Sequence, residues 1–176
     1  AEAREYHSRY AGTPELYRDS TRQFIAPGSQ PLPADAYIAA QRARIAAADA
    51  WQRWFAEHAM TEGGWNCEWV EGSTRSSFPS TLNSLKGILD WEIRTGDARL
   101  REARHAAQDY LLRRRMLHRA STGELVGPWA TSFGYPFRHV YTAMNALDYL
   151  RRASLHDGVA PDERAADAIE VVRAAQ

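Results

Sequence analysis

The sequence predicts an all-α protein built of stacked αα hairpins. Three observations carry this. Apolar side chains recur at helical spacing, and no stretch alternates with the period of a strand. Proline, glycine and capping residues cut the chain into helix-length pieces. Helix pairs also recur, each preceded by a Gly-x-Trp element, Gly63-Gly64-Trp65 and Gly127-Pro128-Trp129, about 64 residues apart. One helix pair cannot bury its apolar face alone, so recurrence implies stacking.

Thr13-Pro14-Glu15 places an N-cap and a first-turn proline ahead of a short helix through Phe24, which Pro27, Gly28, Pro31 and Pro33 stop. Residues 1–34 therefore read as an N-terminal arm, and 35–176 as a helical-repeat domain. From about Asp35 to Met60, Ile38, Ile45, Ala48, Trp51, Phe55 and Ala59 make one stripe, with Tyr37 and Trp54 beside it. Residues 62–77, rich in glycine and tryptophan, read as an ordered loop. Pro79 suits the first turn of the next helix, in which Leu82, Leu85, Ile88 and Leu89 share a face and Gly96 ends the run. Asp97 caps the following helix, with Leu100, Ala103, Ala107, Tyr110 and Leu111 on one side. It finishes at Arg113, Arg114 and Arg115, where cations suit the C-terminal dipole. Residues 119–135 form a second loop. Pro136 opens a fifth helical pattern through Val140, Met144, Leu147 and Leu150, and Pro161-Asp162 opens a sixth with Ala165, Ala168, Ile169 and Val172. Within the repeat, Leu89-Asp90-Trp91 answers Leu147-Asp148-Tyr149.

Composition bounds the function. The 176 residues carry 22 Lys+Arg and 22 Asp+Glu, so the net charge is zero and nucleic-acid binding has no global electrostatic source. No apolar run approaches the roughly 20 residues needed to span a bilayer. The single cysteine, Cys67, excludes an internal disulfide and any site of several thiolates, which fits a cytoplasmic location. The opening AEAREYHSRY has neither Met nor a signal-like apolar core, and reads as a processed start or an internal boundary.

Three segments, GGWNCEWVEGSTRSSFPSTL, YLLRRRMLHRASTGELVGPW and YPFRHVYTAMNALDYLRRA, together resemble the terpenoid cyclase and protein prenyltransferase superfamily. More narrowly they are similar to bacterial squalene-cyclase-like proteins of uncertain function. The resemblance covers about residues 48–176 and implies a partial α/α toroid. It also implies an isoprenoid-type apolar ligand in an aromatic-lined cavity, bound or converted. The superfamily's usual motifs are missing: the chain has neither an Asp-x-Asp-Asp acid nor an Asp-Asp-x-x-Asp cluster for diphosphate. Where the similar proteins would carry a His after Ser-Ser-Phe and a His-Tyr-Asp after Phe-Pro, this chain has Pro79 and Val140-Tyr141-Thr142, with His139 one position off.

The ligand-facing candidates are Trp51, Trp54, Cys67, Trp69, Arg75, Tyr135, His139 and Tyr141. Trp65 and Trp129 read as structural staples at equivalent places in the two repeats. Trp69 reads either as a further staple or, with Trp51, Trp54 and Tyr135, as a cavity wall. Cys67 reads as a small buried residue, with zinc ligand or nucleophile as alternatives. Cys67 and His139 face a common cavity in the zinc reading, but nothing fixes a third ligand. No metal and no cofactor are therefore expected. His58, Glu57 and Glu62 read as a solvated loop edge or as general acid–base groups. Arg113 to Arg115, with His118 and Arg119, read as a solvated helix end or as a grip for diphosphate.

Two function classes remain open: a cyclase-like or prenyltransferase-like protein for an apolar small molecule, and a non-catalytic helical-repeat module for a peptide or protein partner. Six helices make only part of a ring. A homodimer or association with another chain is expected to cover the open ends, through helices near 37–55 and 162–172.

Overall fold

A computed structural model describes residues 14–20, 22, 33–134 and 139–175. Five α-helices are fully bounded among these residues, with no strand: α1 Ala34–Glu57, α2 Phe78–Thr95, α3 Arg101–Arg113, α4 Ala143–Asp157 and α5 Ala166–Ala174. An isolated bridge pairs His118 with Leu125. No helix among the described residues is long and apolar enough to cross a membrane. The all-α class is borne out.

The chain divides into two compact units, Ala1–Ala50 and Trp51–Gln176. In the first, the described residues form a 3₁₀ turn at Pro14–Leu16, helical residues 19, 20 and 22, and the leading part of α1. The Thr13 cap and the end at Phe24 expected for that first helix lie outside the described residues. The leading part of α1 is alanine-rich and buries no side chain, with Ile38 and Ile45 exposed.

The second unit holds the core. Its helix α2 presents Leu82, Leu85, Ile88 and Leu89 on one buried stripe and packs against both α3 and α4, while α4 packs against α5. The ends are chemically fixed. Ser77 Oγ accepts from the Ser80 N–H, and Gly96, in the left-handed region at φ 72°, closes the C-terminus onto the Glu92 carbonyl. Asp97 Oδ1 accepts from the Arg99 N–H, but α3 starts only at Arg101 and has no side-chain cap.

The C-terminal end of α3 departs from the simple solvated finish. Arg115 and Met116 both take positive φ, 46° and 62°, and the Met116 N–H returns to the Leu111 carbonyl at 2.8 Å. This reversal costs backbone strain. It drives Met116 and Leu117 into the core and leaves Arg113 and Arg115 outside.

Helix α4 does not open at Pro136, which lies outside the described residues; it begins at Ala143, where Thr142 Oγ1 accepts from the Asn145 N–H at 3.1 Å. A threonine hydroxyl satisfies an orphan helix donor, whereas proline only avoids having one. Val140 consequently falls before the helix and is exposed. The buried positions Phe78, Thr81, Leu85 and Ile88 have counterparts 65 residues on at Ala143, Ala146, Leu150 and Ala153. The shift of 58 that sets Leu89-Asp90-Trp91 on Leu147-Asp148-Tyr149 lies two turns away and likewise brings Leu85 and Ile88 onto Ala143 and Ala146.

Candidate functional site

The loop between α1 and α2 is pinned throughout. Gly63 and Gly64 have φ near 89° and 86°, and a Cβ on either would collide, with the Ala106 carbonyl and the Thr81 side chain respectively. Trp65 is 2% exposed, and its indole N–H donates to the Phe55 carbonyl at 3.0 Å. Asn66 Oδ1 accepts from the Glu68 N–H, starting a 3₁₀ turn at Cys67–Glu71, and its amide donates to the Arg75 carbonyl at 2.8 Å. The Ser76 N–H donates to Glu62 Oε1 at 2.8 Å. These bonds fix where Arg75 leaves the loop.

The second loop is held as tightly. Arg119 N–H donates to the Glu124 carbonyl and Val126 N–H to the Leu117 carbonyl, at 2.8 and 2.7 Å. Trp129 sits half-buried in a 3₁₀ turn, Pro128–Thr131, with its ring edge-on to Phe78 and Tyr141.

Between the two loops lies a cleft of about 320 Å³. Phe78, Tyr110 and Trp129 make its apolar wall, and Arg75, Arg114 and Arg119 bring three guanidinium groups to it. Arg114 lies 3.8 Å over the Tyr110 ring and pairs with Glu62 Oε2 at 2.6 Å. Tyr110 donates its hydroxyl to the Ser76 carbonyl at 2.7 Å. Burial pushes its pKa up to about 12, against a partial pull downward from the Arg114 cation, so it stays neutral near pH 7. Glu62 and Tyr110 are thus both engaged. Arg75 and Arg119 differ: among the described residues no carboxylate pairs with either, and Arg119 Nη2 makes only a long bond, 3.4 Å, to the Val126 carbonyl.

A second cleft of about 430 Å³ shares Arg114 and Arg119 and adds Arg113, Arg115, His118 and Asp167. Its charges are largely compensated, Arg113 by Asp109 at 2.8 Å and Arg115 by Asp167 at 3.2 Å.

Of the residues expected to face a ligand, only Arg75 among those described reaches the cleft between the two loops; Tyr135 lies outside the described residues. Tyr141 is corrected: it is fully buried and its hydroxyl donates to the Met116 carbonyl at 2.7 Å, so its polar end is spent on the chain reversal after α3. Burial holds that phenol far above its ordinary pKa. Cys67 is corrected as well. It is exposed, because it opens the 3₁₀ turn with its N–H held by Ser80 Oγ and its side chain outside. His139 is exposed in a bend before α4, and its carbonyl accepts from the Asn83 amide at 2.9 Å. Neither Cys67 nor His139 lines the two clefts described.

Trp51, Trp54 and Trp69 gather elsewhere, with His58. The imidazole stacks on Trp54 at 4.6 Å and 11°, Trp69 meets it edge-on at 4.4 Å, and its Nδ1 lies 2.9 Å from the Trp54 carbonyl. A carbonyl only accepts, so Nδ1 carries the proton.

Sequence reasoning missed the most buried charge. Arg104, inaccessible to solvent, donates to Glu92 on α2 and to Asp157 at the end of α4, its Nη2 lying 3.0 and 2.7 Å from the two carboxylates. Asp157 is held below the ordinary carboxylate range: burial would raise it, but hydrogen bonding and the charge of Arg104 outweigh that. Glu92, His156 and Asp157 also offer three metal-type ligand atoms within 4.8 Å of one another. Arg104 already occupies both carboxylates, so a cation there would meet a guanidinium. The signal was present in the sequence, since Glu92 continues the Leu85, Ile88, Leu89 stripe and Arg104 falls on the apolar side of α3.

Comparison with protein-family models, curated proteins and solved structures found no match.

Proposed function

We propose that the chain is a ligand-binding helical-repeat domain of the partial α/α-toroid kind, which takes an amphipathic anion in the cleft between its two Gly-Trp loops. A short isoprenoid-type body rests on Phe78, Tyr110 and Trp129, and the anionic head lies between Arg75 and Arg119. The observation that carries this reading is the pair of guanidiniums without carboxylate partners opening onto an aromatic wall. Such clefts combine apolar walls with a few orienting polar groups, and a volume near 320 Å³ is at the small end of the usual range.

Binding is favoured over conversion because Glu62 and Tyr110, the acid–base groups facing the cleft, are both held in internal hydrogen bonds. The repeat arrangement is supported by features that recur 65 residues apart. Ser77 and Thr142 cap alike, and Asp97 holds Arg99 as Asp162 holds Arg164, by one backbone and several guanidinium bonds. A cytoplasmic location fits the lone exposed thiol.

Equilibrium titration of intrinsic fluorescence with geranyl phosphate, geraniol and inorganic phosphate tests the proposal. Geranyl phosphate is expected to bind tightest, since it alone fills both the wall and the charged mouth. Equal binding of geraniol would remove the role given to the arginines.

A further inference from the structure

We propose that the end of α1 and the 3₁₀ turn Cys67–Glu71 form a docking face for a basic polypeptide segment. Its arginine side chains stack on Trp51 and Trp69 among Glu57, Glu68 and Glu71. This face shares no residue with the cleft above and stands on separate observations.

The first observation is a connected aromatic surface. Trp51 is 60% exposed and Trp69 38%, with Val70 also exposed beside Trp69. Trp54 joins them, its ring centroid 6.0 Å from that of Trp51 and 5.9 Å from that of Trp69. Single exposed apolar residues need no explanation, but joined ones mark interaction surfaces.

The second observation is charge. Glu57 lies one turn after Trp54, and Glu68 and Glu71 bracket Trp69 on its turn. All three are exposed, and among the described residues none has an ion-pair partner. Elsewhere in the same unit, carboxylates hold arginines: Glu62 to Arg114, Glu92 to Arg104, Asp109 to Arg113, Asp167 to Arg115. Arg53 lies one turn before Glu57 on α1 and is exposed, and it forms no ion pair with these carboxylates.

Together these select a cation. Indole faces carry negative quadrupole density and attract guanidinium most effectively when it stacks flat. A purely apolar partner would strip water from three carboxylates without replacing it, and anionic lipid would be repelled. His58 shows that a planar nitrogen ring packs well between Trp54 and Trp69. Because it fills that inner space, a partner is left the exposed parts of Trp51 and Trp69.

The test is titration of the full chain with an acetylated, amidated peptide alternating arginine and alanine, and with the same peptide carrying glutamine or glutamate for arginine. The arginine peptide is expected to bind roughly tenfold tighter than the glutamine peptide, and to weaken as salt rises. Trp51→Ala should cost roughly fivefold, the size of one cation–π contact. The triple variant Glu57→Gln, Glu68→Gln, Glu71→Gln should remove the preference for arginine, with an unchanged thermal midpoint because all three side chains are exposed. Equal binding of the arginine and glutamine peptides, an undiminished preference in the triple variant, or Trp51-dependent binding to phosphatidylglycerol vesicles would each overturn the proposal.

Discussion

Glu92 near the end of α2 and Asp157 at the end of α4 close on one guanidinium, that of Arg104, and so tie α2, α3 and α4 together through a charge with no access to solvent. A buried ion group of this kind is weak evidence of net stabilisation, but breaking it leaves uncompensated charge. Arg104→Met is therefore expected to lower unfolding free energy by about 3–5 kcal/mol, measured by urea denaturation. The double variant Arg104→Met, Glu92→Met should recover part of that loss.

The pH dependence follows from the same carboxylates. Asp157 is held below its unfolded value by Arg104, Asp97 by Arg99 and Gln52, and Asp162 by Arg164. A depressed carboxylate contributes stability that is fully present above its unfolded pKa of about 4 and is lost as pH falls through the folded value. The thermal midpoint should be flat from neutral pH to about pH 5 and should drop steeply below about pH 4. Asp157→Asn should lower the plateau and shallow the acid limb. A parallel downward shift with an unchanged acid limb would show that Asp157 does not titrate as described.

The two loop tryptophans should differ. Trp65 is buried and spends its N–H on Phe55, so Trp65→Ala is expected to cost about 3–5 kcal/mol. Trp129 is only partly buried beside the cleft, and its truncation should cost less while weakening ligand binding more. Paired denaturation and binding measurements check both.

Backbone strain gives an internal control. Gly63→Ala forces a Cβ onto the Ala106 carbonyl, a backbone atom of α3 that cannot swing aside, whereas Gly72, at a similar φ of 88°, has open space around it. Both substitutions pay for left-handed backbone, about 1 kcal/mol or more, but Gly63→Ala should be much the more destabilising by thermal denaturation.

Much of this fold is written in local chemistry. Ser77, Gly96 and the Leu82-Leu85-Leu89 stripe place α2 almost to the residue, because caps and periodicity act over one or two turns. Sequence marks set the start of α4 at Pro136 and the structure sets it at Ala143, because a proline is a stronger sequence mark than Thr142, while the anchor that fixes the turn, Tyr141 on the Met116 carbonyl, spans 25 residues. The cleft was legible only in parts. Arg75 and the arginines after α3 were visible, but their convergence depends on the strained reversal at Arg115 and Met116, and no propensity predicts two consecutive non-glycine residues with positive φ. Cys67 looked buried because cysteine usually is; a 3₁₀ turn that faces outward overrides that preference.

Whether Arg75 and Arg119 receive an anion is decided by the geranyl phosphate dissociation constant of the double variant Arg75→Gln, Arg119→Gln against the unaltered chain, with Arg94→Gln as an exposed-arginine control. Neither guanidinium holds a carboxylate among the described residues, so the double variant should keep its thermal midpoint. It should lose roughly tenfold or more in affinity, as expected for charge-assisted contacts, while the control binds normally. An unchanged dissociation constant in a folded double variant would show that these two arginines hold no anion.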